Sequence, residues 1–365
     1  MGRTISKIQT PDVERNYIMR QADELLLLSK ERIVLLNAGA GYGKTQLLSN
    51  YAARCGCSCS WYSLDETDND LMSFIRNLTR SVQYTLNIKE EDSFQAPALG
   101  QEELDILMEC LVCWLDERVE VLNVILDDFQ EIHNPDIFNL IDVLAEAIGE
   151  KLRFFVAEKG ALPEFLVNCV ESGRAVCIGP EELEFTQAEI ELLLEDEVEE
   201  HGLAQAAEAV HSYTEGWPIG VVQVLLRLRQ RRKKETAEGV KSICETLEIS
   251  DYIMTRIYKK LSFDIQVFLR ETAVLDYMTA PACNRIMGSY NSDSQLRYLI
   301  NEKLFVQSLG AGSGLYRYHS LFRRFLLSLT ATILLNSSLF LFSQVLPSFP
   351  TAANSPCKLS YCFLL

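Results

Sequence analysis

The segment that most constrains the fold of this chain is the glycine-rich run Ala38 to Thr45, with the sequence AGAGYGKT. It follows the apolar run Ile33 to Asn37 and leads directly into a helical pattern at Gln46. The run matches the phosphate-binding loop, with Ala38 in place of the first glycine. Glycines let the backbone curl until successive N–H groups and the following helix N-terminus point at phosphate oxygens. We therefore predict that the chain binds a nucleoside triphosphate, ATP, together with magnesium.

The side chains at the end of this loop have distinct predicted roles. Lys44 would reach the β- and γ-phosphates, and the Thr45 hydroxyl would complete the coordination shell of magnesium. The predicted nucleotide-binding residues of this segment are Ala38, Gly39, Gly41, Gly43, Lys44, Thr45 and Gln46.

A second motif lies further along the chain, where the apolar run Val124 to Leu126 ends in Asp127 and Asp128. In isolation this pattern is typical of any strand that meets a turn. A phosphate-binding loop, however, needs an acidic partner that holds its magnesium ion. We predict that Asp127 holds magnesium through water and that Asp128 orients or deprotonates the attacking water, with Lys44 as the other catalytic residue.

Short β-branched and aromatic runs alternate with helical patterns in the first half of the chain, which is typical of βα units and a parallel sheet. The spacing of Leu107, Leu111 and Leu115 predicts one of the intervening helices. Residues 1–180 are therefore predicted as an α/β P-loop NTPase domain, with helices on both faces of the sheet. The predicted strands are Ile33 to Asn37, Ser60 to Leu64, Leu122 to Asp127, Leu152 to Ala157 and Ala175 to Gly179.

After Pro180 the pattern becomes helical and acidic. Thr186 and Glu189 form a capping box, which predicts a helix start at Thr186 and a helical lid subdomain over 181–240. Residues 241–327 combine helical patterns with a late strand pair around a glycine-rich turn, Leu304 to Ser308 and Leu315 to Tyr318. This combination predicts a winged-helix-like α domain.

The remaining residues, 328–365, form an apolar tail. The run Phe325 to Pro347 carries no charge and is long enough to span a bilayer, although Ser, Thr, Asn and Gln interrupt it. Three interpretations stay open: a non-native or truncated terminus, a buried helix, and a membrane anchor. We expect a cytoplasmic protein without a membrane partner.

The charge balance argues against direct DNA binding. A formal net charge of -17 provides no basic field for steering onto a phosphate backbone. Six of the eight residues from Arg227 to Lys234 are basic, but no aromatic residue is interleaved with them. This pattern favours a solvated helix end and linker over a nucleic-acid contact.

The eleven cysteines include Cys55, Cys57 and Cys59 at alternate positions and the pair Cys110 and Cys113. No second pair stands at the spacing of a zinc site, and disulfides are rare in cytosolic proteins. We interpret these cysteines as reduced thiols that pack in the core.

Several separate stretches together resemble the STAND-class signal-transduction ATPases, specifically the maltose-activator-like, large ATP-binding LuxR-type transcriptional regulators. The resemblance spans about Ile8 to Leu326, and it is the order and spacing of the stretches that make it specific. The stretches are Ala38 to Leu48, Trp61 to Asp70, Ile125 to Ile132, Thr214 to Gly220 and Tyr316 to Phe325.

The resemblance implies three further nucleotide contacts. Arg15 would lie near the base, Pro218 would pack on the adenine side of the pocket, and His319 would approach the β-phosphate from the winged helix. The alternatives are that Pro218 serves only helix packing and that His319 is an ordinary partly buried histidine.

The chain also departs from the family pattern. Gln130 stands where relatives usually have His, and Glu158-Lys159 replaces Ser-Arg at the end of the fourth strand. Lys159 keeps a positive charge but loses the guanidinium fork. These changes predict weaker sensing of the γ-phosphate and slow hydrolysis, hence at most a weak Mg-dependent ATPase.

The resemblance implies a nucleotide switch that regulates transcription. ADP would favour a closed monomer, whereas ATP with an unidentified inducer would favour an open, self-associating form. Relatives continue into a helical-repeat sensor region and a LuxR-type helix-turn-helix, and we expect this chain to lack both. The alternatives are a free-standing P-loop ATPase, held at a membrane by the apolar tail, and an inert remnant.

Overall fold

The computed structural model describes residues 7–13, 17–96, 104–231, 233–246, 253, 257–310 and 313–330. Its central element is a five-stranded parallel sheet with the strand order β2-β3-β4-β1-β5. All five predicted strands are confirmed: two have the predicted ends, and the ends of the other three differ by at most two residues. The strands are β1 Ile33–Asn37, β2 Ser58–Ser63, β3 Leu122–Asp127, β4 Leu152–Glu158 and β5 Ala175–Ile178.

Helices cover both faces of this sheet, as predicted. Successive residues of β1 alternate between two hydrophobic cores, because side chains of a strand point to opposite faces. Ile33 and Leu35 belong to the core under α3, α4 and α5, whereas Val34 and Leu36 belong to the core shared with α2. The helices of this part are α1 Gln21–Leu28, α2 Lys44–Arg54, α3 Leu71–Leu86, α4 Leu104–Asp116, α5 Pro135–Ala147 and α6 Glu164–Glu171.

The strand order decides which side chains meet at the edge of the sheet. Strand β4 lies between β1 and β3, with Asn37 opposite Glu158 and Leu126 opposite Val156. Parallel strands end at the same edge, and ligands of open α/β sheets bind there. The loop after β1, the acidic end of β3 and Glu158 are therefore neighbours.

The lid is a set of short helices that begins at α7. The capping box is confirmed: Thr186 N–H donates to Glu189 Oε2 at 2.8 Å, and Glu189 N–H donates to Thr186 Oγ1 at 3.3 Å. Glu189 Oε1 also accepts a hydrogen bond from the Gln21 N–H at 2.8 Å, which ties the lid to α1. The lid helices are α7 Pro180–Leu183, α8 Gln187–Leu194, α9 Leu203–Thr214, α10 Pro218–Gln230 and α11 Ala237–Thr246.

The predicted boundary at residue 240 falls inside α11, which packs against α9. Because a helix that packs on the lid belongs to the lid, we propose that the boundary follows Thr246.

The next part is a compact helical unit with a small sheet. Strands β6 and β7 pair antiparallel, and Met278 exchanges two backbone hydrogen bonds with Tyr316 at 2.7 and 2.9 Å. Three helices beside a small antiparallel sheet form the winged-helix arrangement that the sequence predicts. Its elements are α12 Phe263–Thr272, α13 Ala280–Met287, α14 Ser292–Asn301, β6 Val306–Ser308, β7 Tyr316–Tyr318 and α15 at 320–330.

The interpretation of the cysteines as core residues is wrong for Cys57, Cys110 and Cys113, which are exposed. The cysteines lie outside the buried stripe of α4, which consists of Leu107, Met108, Leu111, Trp114 and Leu115. Cys57 precedes β2 and is not part of the strand. Within the described residues, no group of three or more His, Cys, Asp or Glu side chains is arranged to hold a metal ion.

Most of the run Phe325 to Pro347 lies outside the described residues, so the interpretations of the tail stay open. Among the residues that the structure describes, no helix is long and apolar enough to cross a membrane.

Candidate functional site: a phosphate-binding loop clasped by two domains

The glycine-rich loop makes a tight turn from β1 into α2. Gly41 and Gly43 have φ angles of +81° and +75°, in the left-handed region that strains residues with a Cβ. Gly43 is the N-cap of α2, and Lys44 is its first residue. The first N–H groups of a helix have no partner within the helix, so this turn presents several donors to an anion.

Two other parts of the chain hold this loop from outside. From the lid, Trp217 Nε1 donates to the Ala40 carbonyl at 3.3 Å, and the Ile219 N–H donates to the Gly41 carbonyl at 3.1 Å. From the winged helix, the Lys303 carbonyl oxygen lies 2.6 Å from the point where a Cβ on residue 39 would stand. We call Trp217, Ile219 and Lys303 the loop clasp.

The side chains of Lys44 and Thr45 meet the end of β3. Lys44 Nζ donates to the carbonyls of Ala38 and Gly39 at 2.6 and 3.0 Å, and burial lowers its pKa to about 8. Thr45 Oγ1 donates to Asp127 Oδ2 at 3.0 Å, and burial raises the pKa of Asp127 to about 6. A hydroxyl and a carboxylate this close fit the two protein groups beside a nucleotide-bound magnesium ion.

Asp128 is exposed next to Asp127 and has a positive φ of 58°. Its N–H donates to Asp127 Oδ1 at 3.1 Å, and its own Oδ1 accepts from Gln130 Nε2 at 2.8 Å. Gln130, which replaces the usual His of the family, therefore orients the Asp128 carboxylate. An exposed, oriented carboxylate at this place can position or deprotonate a water molecule.

Glu158 adds a third carboxylate to this edge of the sheet. It is 1% exposed, and its Oε1 accepts from the Lys159 N–H at 3.0 Å. Among the described residues, its Oε2 has no hydrogen-bond partner. Burial raises the pKa of Glu158 to about 7, against a weaker opposing attraction from Lys44. Glu158 therefore places a buried, titratable carboxyl group beside the loop.

A cavity of about 370 Å³ opens beside Gly41, Gly43 and Gln46. Its wall is mostly apolar, and Pro218 lies in it at the start of α10. Such a cavity beside a phosphate-binding loop fits a planar base. The other lining residues are Tyr17, Ile18, Arg20, Phe185, Leu193, Ile219, Val222, Leu225, Leu226 and Arg229.

Arg15, the predicted base contact, lies outside the described residues. The structure instead shows Arg20 in the wall of the cavity, 6% exposed, with its guanidinium 4.7 Å from the ring centre of Phe185. Arg20 Nη1 donates to the Leu183 carbonyl at 3.2 Å. The sequence analysis did not predict Arg20 as a site residue. Its position directly before α1 was the feature that could have indicated it.

His319 is buried on the winged-helix side of the loop. Its ring lies 5.7 Å from the ring of Trp217 and 6.0 Å from that of Phe305, and its Nε2 is 3.8 Å from Glu215 Oε2. Burial lowers its pKa, and the nearby Glu215 opposes this shift. His319 and Gly39 line the same cavity of about 620 Å³. The structure thus brings His319 towards the loop, and its phosphate contact stays a prediction.

Residues 254–332 match the family model described as the MalT winged helix domain. The chain is 24% identical over 326 residues to the HTH-type transcriptional regulator MalT of Vibrio cholerae, which covers 88% of this chain and 36% of that protein. It is 26% identical over 299 residues to MalT of Klebsiella pneumoniae, which covers 81% of this chain and 33% of that protein.

The fold is similar to that of the Walker-type ATPase of Pyrococcus abyssi. The TM-score is 0.57 at 15% identity, over 87% of this chain and 98% of that one. The chain is therefore similar in sequence to the MalT regulators and has the fold of a P-loop ATPase. It spans about a third of the length of the curated relatives that it matches.

The basic run of the chain faces acidic residues of the lid. Arg229 Nε lies 3.2 Å from Glu197 Oε1, and Arg231 Nη1 lies 3.3 Å from Glu235 Oε1. Lys234 Nζ donates to the Glu195 carbonyl at 2.8 Å. These contacts support the interpretation of the run as a solvated helix end.

Replacing Glu158 with Gln is expected to stabilise the MalT-like chain at alkaline pH. Burial raises the pKa of Glu158 from 4.5 to about 7, so ionisation costs folding stability as the pH rises through that window. At pH 8, Glu158→Gln should increase the free energy of unfolding in urea by on the order of 1–3 kcal/mol. The difference should shrink towards zero near pH 4.

The matched control is Glu150→Gln, at an exposed position of the same domain. A Glu158→Gln effect of the same size at both pH values would contradict the ionisation argument.

Proposed function

We propose that this MalT-like chain is the nucleotide switch of a transcriptional regulator. ADP favours a closed form, ATP with an inducer favours an open and self-associating form, and slow hydrolysis resets the switch. The observation that carries this proposal is the loop clasp. The backbone that would bind phosphate is the same backbone that the lid and the winged helix contact.

The clasp supplies a route for coupling. A nucleotide can shift two forms only by the difference in its affinity for them. Trp217 and Ile219 bond to carbonyls of the loop, and the Lys303 backbone lies against Gly39. Any movement of the loop backbone on nucleotide binding changes these three contacts directly. The closed form is therefore sensitive to what the loop holds.

Charge near Lys44 favours ADP over ATP in this proposal. Asp127, Asp128 and Glu158 all lie close enough to influence Lys44 electrostatically. When ionised, they oppose the additional negative charge of a γ-phosphate. Discrimination between the two nucleotides then depends on magnesium and on the protonation of Glu158.

Each group of the site has a role in the proposal. The loop N–H groups and Lys44 bind the phosphates, while Thr45 and Asp127 hold magnesium. Bound magnesium would neutralise phosphate charge. Asp128, oriented by Gln130, positions the attacking water and accepts its proton. With Lys159 in place of an arginine fork, the developing charge is stabilised less well, which keeps hydrolysis slow.

The adenine base occupies the cavity beside Pro218, where the apolar wall excludes water. Arg20 holds one side of this cavity through its stacking on Phe185 and lies within reach of the loop. The Nη2 atom of Arg20 is 3.9 Å from the point where a Cβ on Gly43 would stand. We propose Arg20, rather than Arg15 alone, as a nucleotide contact of the N-terminal segment.

The MalT relatives are HTH-type transcriptional regulators, and this supports a role in transcription. We propose that this chain acts in the cytoplasm, within a regulator that responds to an inducer and self-associates. DNA contact belongs to a helix-turn-helix part of such a regulator and not to the basic run of this chain.

Replacing Lys44 with Ala is expected to weaken nucleotide binding by at least about tenfold, because a charged hydrogen bond to phosphate contributes roughly 1.5–3 kcal/mol. Titration calorimetry with magnesium compares ADP and ATP, and the wild-type chain should bind ADP more tightly. Lys30→Ala, at an exposed position, is the control. Absence of binding by the folded wild-type chain would refute the site. Fast steady-state hydrolysis would favour a free-standing ATPase.

Replacing Arg20 with Gln should reduce ADP affinity by about ten- to a hundredfold if the guanidinium contacts the nucleotide. Arg153→Gln is the matched control, because Arg153 also stacks on an aromatic ring, 5.0 Å from the centre of Phe155, and bonds to backbone carbonyls of Ser29 and Glu31. Equal losses in the two variants would assign Arg20 a structural role only.

Replacing Phe305 with Leu is expected to reduce the preference for ADP over ATP towards equality. Phe305 joins the winged helix to the clasp, with its ring 4.9 Å from that of Trp217 and 5.0 Å from that of Phe322. Leucine fills less space than phenylalanine, so it weakens the packing of the winged helix on the clasp. It keeps the buried position apolar. Calorimetry of both nucleotides on a variant with unchanged circular dichroism measures the effect.

Phe263→Leu, 75% exposed in the same domain, should leave the preference unchanged. An unaltered preference in Phe305→Leu would show that winged-helix docking and nucleotide choice are independent.

A further inference from the structure

Two cysteine sulfurs meet where α2 turns into β2. Cys55 caps α2, and Cys59 is the second residue of β2. The intervening Gly56 has a φ of +72°, which lets the chain reverse within a few residues. As a result, the Sγ atoms of Cys55 and Cys59 lie 3.3 Å apart. A disulfide needs a separation of about 2.05 Å, so the sulfurs have only about 1.2 Å further to approach.

A buried side chain of the neighbouring strand faces both sulfurs. Asn123, on β3 and 2% exposed, has its Nδ2 3.9 Å from Cys55 Sγ and 3.8 Å from Cys59 Sγ. The same Nδ2 donates to Tyr51 Oη at 3.2 Å. The amide is therefore anchored, and it keeps the two sulfurs on one side of the turn.

The third cysteine of the turn does not take part in this contact. Cys57 is exposed, and it is the carbonyl of Cys57 that lies 3.6 Å from Cys55 Sγ. Cys55 and Cys59 are both partly exposed, so a small reagent can reach them.

The two sulfurs are chemically different. The hydrogen bond with Cys59 lowers the pKa of Cys55 to about 6, whereas the same contact raises the pKa of Cys59. Cys55 is therefore the more acidic of the two thiols. This asymmetry is typical of a peroxide-sensitive cysteine next to a resolving cysteine.

We propose that Cys55 and Cys59 form a reversible disulfide when the chain meets a hydroperoxide, so that the turn between α2 and β2 is a redox modification site. The Cys55 thiolate attacks one peroxide oxygen, the O–O bond breaks, and hydroxide or alkoxide leaves. Cys59 then attacks the sulfur of the resulting sulfenic acid. The S–S bond forms, the S–O bond breaks, and the hydroxyl leaves as water with the Cys59 proton. A dithiol reductant reverses the modification.

The disulfide would join the C-terminal end of the phosphate-loop helix to an edge strand of the sheet. Helix α2 has 11 residues, so about 16 Å of helix separates Cys55 from Lys44. The modification site is distinct from the nucleotide site, and its test is independent of nucleotide binding.

The test oxidises the reduced full chain with a stoichiometric amount of hydrogen peroxide, blocks free thiols with iodoacetamide and maps tryptic peptides by mass spectrometry. No Lys or Arg lies between Cys55 and Arg76, so one peptide contains all three cysteines. The Cys57→Ser variant leaves only the proposed pair in that peptide. We expect its peptide to lose two hydrogen atoms and to carry no alkylation, and dithiothreitol to restore two alkylated cysteines.

Two further variants distinguish a disulfide from general oxidation. In the Cys57→Ser background, Cys59→Ser should form no cross-link, and its Cys55, which has lost the activating contact, should be oxidised more slowly, to a sulfenic acid that dimedone traps. In the same background, Cys55→Ser should form no cross-link at the same peroxide dose. Alkylation of both Cys55 and Cys59 after oxidation of the Cys57→Ser chain, or a cross-link in wild type that contains Cys57, would overturn the proposal.

A rate measurement tests the pairing without oxidation. At pH 7, iodoacetamide should modify Cys55 of the Cys57→Ser variant about tenfold faster than the exposed Cys110, and additional replacement of Cys59 with Ser should abolish that advantage. Equal rates at Cys55 and Cys110 would show that the sulfur contact does not activate Cys55. Circular dichroism of each variant confirms that the comparison is made on folded chains.

Discussion

The backbone of one short loop is the point at which the three parts of this chain meet. The loop leaves β1, curls around its glycines and starts α2, and its outer surface is contacted by Trp217 and Ile219 of the lid and by Lys303 of the winged helix. A hydrophobic core that is continuous from the sheet through the lid to the winged helix supports these contacts. The position of either helical part therefore depends on the shape of the loop.

Burial gives this loop unusual electrostatics. Lys44 loses hydration and its pKa falls to about 8, while burial raises the pKa of Asp127 to about 6 and that of Glu158 to about 7. In all three groups burial disfavours the charged form of the side chain, as expected where charges are removed from water. A phosphate group would give Lys44 an anionic partner, and a magnesium ion would give Asp127 a cationic one. The arrangement is suited to a site whose charge state and occupancy change together.

Local sequence patterns were enough to predict the candidate site residues and the start of the lid helix. The glycine-rich loop, the Asp127-Asp128 pair and the Thr186 capping box each depend on neighbours within a few residues, and sequence spacing reports such features directly. Arg20 was missed because its contacts in the cavity wall, Leu183 and Phe185, are distant in the sequence. Cys110 and Cys113 were misplaced for a related reason, since several faces of α4 are apolar and the pattern alone did not identify the buried one.

The sequence by itself determined the glycine-rich loop between a strand and a helix, the strand that ends in Asp127, the alternation of strands and helices and the winged-helix pattern. These features follow from backbone geometry and hydrophobic periodicity, which act over short stretches of chain. Only the tertiary structure decided that β4 lies between β1 and β3, that Lys303 approaches Gly39, and that the sulfurs of Cys55 and Cys59 touch. Such contacts depend on how whole elements pack, and packing is set by shape and burial across the molecule rather than by any local run of residues.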